Sequence, residues 1–182
     1  MHHGLRSLVL ALLGVAAVSG AARGQDSTAA APPPKPCSQP ECRQFDFWIG
    51  EWDVTTPDGK PAGTNSIRPV LNGCALQESW TSARGPFAGN SYNLYDAARG
   101  AWHQSWVDNT GTLLLLDGGI VDGRMVLAGT RPAAQPGAPD VRHRISWEKK
   151  SDDEVRQLWE SSADGGETWS VLFDGKYVRR KG

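Results

Sequence analysis

The sequence predicts an all-β protein: a single ten-stranded antiparallel barrel of up-and-down topology, preceded by a signal segment and a proline-rich tether. Three observations predict it. From Gly50 onward, short runs of alternating apolar and polar residues follow one another, with no stretch of helical periodicity. Turn chemistry separates these runs at even spacing, as PDGKPAG, Asn72-Gly73, DAARG, DNTG, VDGR and SADGGET, and Asn-Gly and Asp-Gly pairs favour tight antiparallel hairpins. Strands joined hairpin to hairpin in a flat sheet would leave two open edges, which closure into a barrel removes.

The elements follow in chain order. Residues 1–24 are predicted to be a secretory signal: Arg6 precedes the apolar run LVLALLGVAAV, and small residues come next. That run is shorter than the roughly 20 residues needed to span a bilayer. No Leu-rich box ends on Cys37, so no lipid anchor is expected there. Residues 25–42, rich in Pro, Ala and Ser without apolar periodicity, read as an extended tether. Residues 43–182 form the barrel domain, long enough to bury a core. Within it, strands are predicted at 50–56, 63–70, 74–82, 90–96, 101–108, 112–120, 124–131, 141–148, 154–162 and 168–178. Only PAAQPGAPD, from Pro132 to Asp140, is a long connection.

Alternation assigns the interior strand by strand. In the first strand Gly50, Trp52 and Val54 share a face with the preceding Trp48. Leu76, Glu78 and Trp80 share the inner face of the third strand with Cys74, and Trp102, Gln104, Trp106 and Asp108 that of the fifth. The eighth strand turns Val141, His143, Ile145 and Trp147 inward, and the ninth Val155, Gln157, Trp159 and Ser161. The tenth offers Trp169, Val171 and Phe173, so all eight tryptophans fall on inner faces. Bulky aromatics mixed with Glu78, Gln104, Asp108, His143 and Gln157 do not describe an ordinary aliphatic core, since a carboxylate buried alone is costly. They describe an apolar cavity with a few convergent polar groups, the usual form of a small-molecule site.

The predicted ligand-binding set is therefore Glu78, Trp80, Gln104, Trp106, Asp108, His143, Trp147, Gln157 and Trp159, holding a small hydrophobic or amphipathic molecule in a monomeric barrel. The alternative is an enzyme of isomerase or hydrolase type, with Glu78 and Asp108 as an acid–base pair whose pKa values the lining sets apart. A further alternative is a structural domain with a filled core. With a net charge of −1 and no basic stretch beyond VRRKG, nucleic acid is excluded as a partner. No G-x-S-x-G elbow and no phosphate loop occur, and neither metal nor cofactor is predicted. Three cysteines, Cys37, Cys42 and Cys74, permit three single disulfides in an exported protein. A bridge from a tail cysteine to Cys74 is preferred, because it pins the tether to the barrel.

Some of this text resembles known families. Gly50-Glu51-Trp52 resembles the Gly-x-Trp start of lipocalins and fatty-acid-binding proteins, the calycin barrels. There the Trp closes one end and an Arg of the last strand lies across it, which implies that role for Arg179 or Arg180. More widely, FDFWIGEWDV, NGCALQESW, SYNLYDAARGAWHQSWVDNTG, DGRMVLAG and RQLWESSADGGETWSVLFDGKYVR resemble a family of uncharacterised exported bacterial proteins, lipocalin-like barrels related in shape to nitrobindin. That resemblance implies the barrel, a periplasmic or secreted location and no established activity. Nitrobindin binds haem through a late-strand histidine, which would point to His143, although the surrounding motif does not match. Ser162 to Trp169 fits the Asp-box pattern of sialidase hairpins, but a single box reads as a well-made turn and not as glycosidase chemistry.

Overall fold

Inward side chains at every second position can line a closed interior only if each strand pairs on both sides, and the chain achieves this by joining its ends. The computed structural model describes residues 35–133 and 135–181. The predicted signal (1–24) and the first part of the tether (25–34) lie outside the described residues. Ten strands follow in order: β1 Gly50–Thr55, β2 Pro61–Val70, β3 Ala75–Ser82, β4 Ala88–Asp96, β5 Ala101–Asp108, β6 Leu113–Val121, β7 Arg124–Arg131, β8 Val141–Lys149, β9 Glu154–Ser162 and β10 Ser170–Arg179. Each pairs antiparallel with the next, and β1 pairs with β10 to close the barrel.

One end is sealed by the chain that precedes β1. Two 3-10 turns, Pro40–Arg43 and Asp46–Trp48, bring Phe45 and Trp48 beneath the strands. Phe45 stacks on Trp48 at 4.9 Å and meets Trp102 and Trp147 edge-on at 5.6 and 5.1 Å. The Trp52 indole N–H donates to the Trp48 carbonyl at 2.8 Å, which fixes the plug to the first strand. Arg179, one strand over, lies 4.2 Å above the Trp52 ring and donates to the Ile49 carbonyl at 2.8 Å. Gly50 makes this possible. Its φ is +147°, and a Cβ there would come within 2.1 Å of the Arg179 guanidinium. Of the three pairings left open, Cys37–Cys74 is formed, which ties the tail to the β2–β3 connection at the sealed end, while Cys42 is free and buried.

Two inward assignments on β10 are corrected. Its pairing with β9 slips between Val171 and Phe173, and a single-residue slip moves the preceding side chains to the other face. Val171 is consequently 60% exposed, and the inner face of β10 is Phe173, Gly175 and Tyr177. Trp169 belongs to the turn before β10 and sits outside the barrel, with the Arg144 guanidinium 4.1 Å over its ring. Seven tryptophans, not eight, therefore face inward or into the plug.

Candidate functional site

Above the plug the barrel is not filled. A cavity of about 340 Å³ opens at the end formed by the β1–β2 and β3–β4 turns. Trp80 from β3, Trp106 from β5, Trp159 from β9 and Phe173 from β10 supply its aromatic wall, Leu114 and Ile145 its aliphatic one. Arg84, Phe87 and Leu172 stand at its mouth. Trp80 meets Phe173 edge-on at 5.7 Å. Trp106 lies flat against Gly89, where a Cβ would come within 2.2 Å of the indole, so a glycine on β4 makes room for this wall.

Four polar residues of the lining, Glu78, Gln104, Gln157 and Tyr177, belong to one connected chain of hydrogen bonds. Gln104 Nε2 donates to Asn93 Oδ1 at 2.8 Å, and Asn93 Nδ2 donates to Ser91 Oγ at 2.8 Å. Ser91 Oγ donates to Glu78 Oε2 at 2.6 Å. From the other side Asn65 Nδ2 donates to Glu78 Oε1 at 2.7 Å and lies 3.3 Å from the Tyr177 hydroxyl, which itself donates to Gln157 Oε1. The chain crosses β5, β4, β3 and β2, passes β1, and continues on β10 and β9. Register explains it: Asn65 lies opposite Trp80 with Glu78 next on that face, Glu78 opposite Ser91, and Asn93 opposite Gln104.

Glu78 is its centre. Burial raises its pKa from 4.5 to about 7, against the lowering effect of the Ser91 and Asn65 hydrogen bonds. Tyr177 is also pushed well up, first by burial and then by the Glu78 charge. A carboxyl whose folded pKa exceeds its unfolded one favours the fold most when protonated, so its contribution falls as pH rises from 4.5 through 7 and is flat above. Wild type should therefore lose about 3 kcal/mol relative to Glu78→Gln over that window, at 1.36 kcal/mol per pKa unit. Asn65 Oδ1, buried without a donor, is available to accept from the new amide after the Asn65 side chain turns over. Urea midpoints of both proteins at pH 4 and pH 8 test this, and a difference that does not change with pH would refute it.

The structure places the predicted residues in four different settings. Glu78, Trp80, Gln104, Trp106, Gln157 and Trp159 line the cavity together. Asp108 does not; it caps the β5–β6 turn. Its Oδ1 accepts from the Thr110 amide at 2.9 Å and the Thr112 amide at 3.3 Å, and its Oδ2 from the Trp106 indole at 3.1 Å. Partial burial raises its pKa, but the hydrogen bonds from Thr110 and Trp106 outweigh this and hold the carboxyl below the ordinary range. Glu78 and Asp108 are thus not brought together in the cavity as an acid–base pair. Trp147, fully buried, belongs to the plug. His143 sits behind Trp159 and accepts its indole N–H at Nδ1, 3.1 Å away; burial first and the Arg131 charge second lower its pKa.

That hydrogen bond bears on haem. A metal-bound histidine donates its second ring N–H to a neighbour and offers the bare nitrogen to the iron. Here the nitrogen facing Trp159 is the bare one, and the ring is not on the cavity wall, so the residues present do not fit an axial ligand. Among the described residues no group of three His, Cys, Asp or Glu side chains is placed to hold a metal.

Asn65, Ser91, Asn93 and Tyr177 escaped the reading of the sequence. On β4 the signal is inverted, with Tyr92 and Leu94 facing solvent while Ser91 and Asn93 face in. Pairing the inward Glu78 and Gln104 with their cross-strand neighbours would have found two of the four. The Asp-box segment is the β9–β10 turn: Ser162 Oγ donates to Asp164 Oδ1 at 2.6 Å and Thr168 N to the same carboxylate at 3.0 Å, with Gly165 and Gly166 at positive φ. These bonds hold Asp164 well below the usual carboxylate range.

Fold and cavity together define a small closed antiparallel β-barrel, sealed at one end and open at the other onto an aromatic chamber. Residues 39–179 match the family described as "Protein of unknown function (DUF1579)", and the chain belongs to that family. No curated protein matches the chain.

Proposed function

We propose that this barrel binds a small hydrophobic or amphipathic molecule inside its cavity, and that it does so after export as a lipocalin-like carrier or receptor. The observation that carries the reading is the cavity itself. Aromatic walls surround a few convergent polar atoms of Glu78, Gln104 and Gln157, in a volume of about 340 Å³ that falls in the range of small-molecule sites. A barrel serving only as a scaffold gains by filling that space, because each void loses packing contacts. Export is supported by the Cys37–Cys74 disulfide, a bond that persists in oxidising compartments, and by the apolar run Leu8–Val18 near the start of the chain.

The test is native mass spectrometry of protein exported under its own signal. A bound small mass is expected in wild type, with occupancy reduced at least tenfold in Trp80→Ala and Trp159→Ala. A barrel that emerges empty, and that takes up no apolar fluorescent probe afterwards, would count against the reading.

A further inference from the structure

The proposed site contains a buried carboxyl with no countercharge. Thirteen ion pairs join described residues, and none includes Glu78. Its two hydrogen-bond partners, Asn65 and Ser91, are neutral. With Ser91 Oγ and Asn65 Nδ2 as donors, both carboxylate oxygens accept, the arrangement of the ionised form, and no charged side chain neutralises that form. A carboxylate has room for about four hydrogen bonds and only two are made by the protein. Gln104 adds an acceptor to the same cavity: its Nε2 is engaged by Asn93, and its Oε1 meets no protein donor among the described residues.

Building on the reading above, we infer that the natural ligand carries a cationic nitrogen, an organic ammonium whose N–H groups meet Glu78 and Gln104 while its carbon skeleton lies against Trp80, Trp106 and Trp159. Each part of the site fits this chemistry. The carboxylate supplies the charge, the Gln104 carbonyl oxygen a further acceptor, and the indole faces attract cations through their negative quadrupoles. Buried charge is tolerated when it is paired and hydrogen-bonded, and the ligand would complete the pair. Burial without a countercharge raises the Glu78 pKa, and a bound cation would lower it again. Arg84 at the mouth would repel a cation only in passing, since the cation's destination lies deeper.

The inference makes binding pH-dependent in a definite direction. An alkylammonium stays charged through neutral pH, so its affinity follows the ionisation of Glu78. With a carboxyl titrating at about 7, affinity at pH 5.5 should be roughly thirtyfold lower than at pH 8. Arg84 and Tyr177 also border the cavity, the tyrosine kept neutral over this range by burial; His143, behind Trp159 and next to Arg131, is separated from Glu78 by the variant below.

Isothermal titration calorimetry at pH 8 with octylamine, octanol and octanoate tests the idea with three probes of one chain length and different heads. Octylamine is expected to bind at least tenfold tighter than octanol, with octanoate weakest, and Glu78→Gln should erase the preference for the amine. The wild-type pH series with octylamine, repeated in Glu78→Gln, assigns the pH dependence to Glu78 and not to His143. Equal affinity for amine and alcohol, preference for octanoate, survival of the amine preference in Glu78→Gln, or a flat pH series would each overturn the cationic ligand while leaving the cavity reading intact. Failure of all three probes to bind would overturn the cavity reading and the inference with it.

Discussion

Trp48→Ala should destabilise the barrel by about 3–5 kcal/mol, the range measured for deleting large aromatic side chains from packed cores. Trp48 is fully buried at the centre of the plug, stacked on Phe45 and within 5.3 Å of Trp147 and 6.5 Å of Tyr177. Its neighbours are held by β-strands and by the Trp52 bond to the Trp48 backbone, so they cannot collapse into the space vacated. The indole N–H of Trp48 meets no acceptor, and the loss is therefore one of packing alone. Trp48→Phe should accordingly recover most of it. Urea denaturation of the three proteins decides the matter, and a loss below about 1 kcal/mol in the alanine variant would show that the plug is not part of the cooperative core.

Removing the Cys37–Cys74 bridge should have the second large effect. The bond closes a loop of sequence separation 37, for which the chain-entropy estimate is nearly 4 kcal/mol and typical measured values are about 2–4 kcal/mol. The bridged segment carries the two 3-10 turns of the plug, so the bond restrains the plug as well as the unfolded chain. The unfolding free energy of oxidised wild type in urea is expected to exceed that of the Cys37→Ala/Cys74→Ala variant by this amount; equal free energies would show that the bond adds nothing to stability. Because both changes act on the plug, combining them with Trp48→Ala should cost less than the sum of the separate losses.

Much of this fold was legible because β-structure writes its period directly into the text. All ten strands were expected and are present, each within two residues of its predicted ends, and turn dipeptides such as Asn72-Gly73 and Asp122-Gly123 marked the connections. What escaped was whatever broke the period. At β10 the slip after Val171 has no residue signature, so Trp169 and Val171 read as inward when they are not. On β4 a polar inner face carries its apolar residues outside, which inverts the usual rule. Asp108 has inward parity but ends its strand, and a terminal carboxylate finds turn amides more readily than a cavity. Parity located side chains; it did not say how far along the barrel axis each one lies, and that coordinate separates Trp147 in the plug from Trp159 in the cavity wall.

The division of the tryptophans also gives the protein a built-in optical readout. Trp48, Trp52, Trp102 and Trp147 are at most 2% exposed, all in or beside the plug, whereas Trp80, Trp106 and Trp159 border the chamber. The first group emits from a dry environment that an aqueous quencher cannot reach. The second changes its emission when the chamber fills or empties. Ligand entry should therefore alter one fraction of the fluorescence and leave another as an internal standard, so occupancy can be followed in the unlabelled protein.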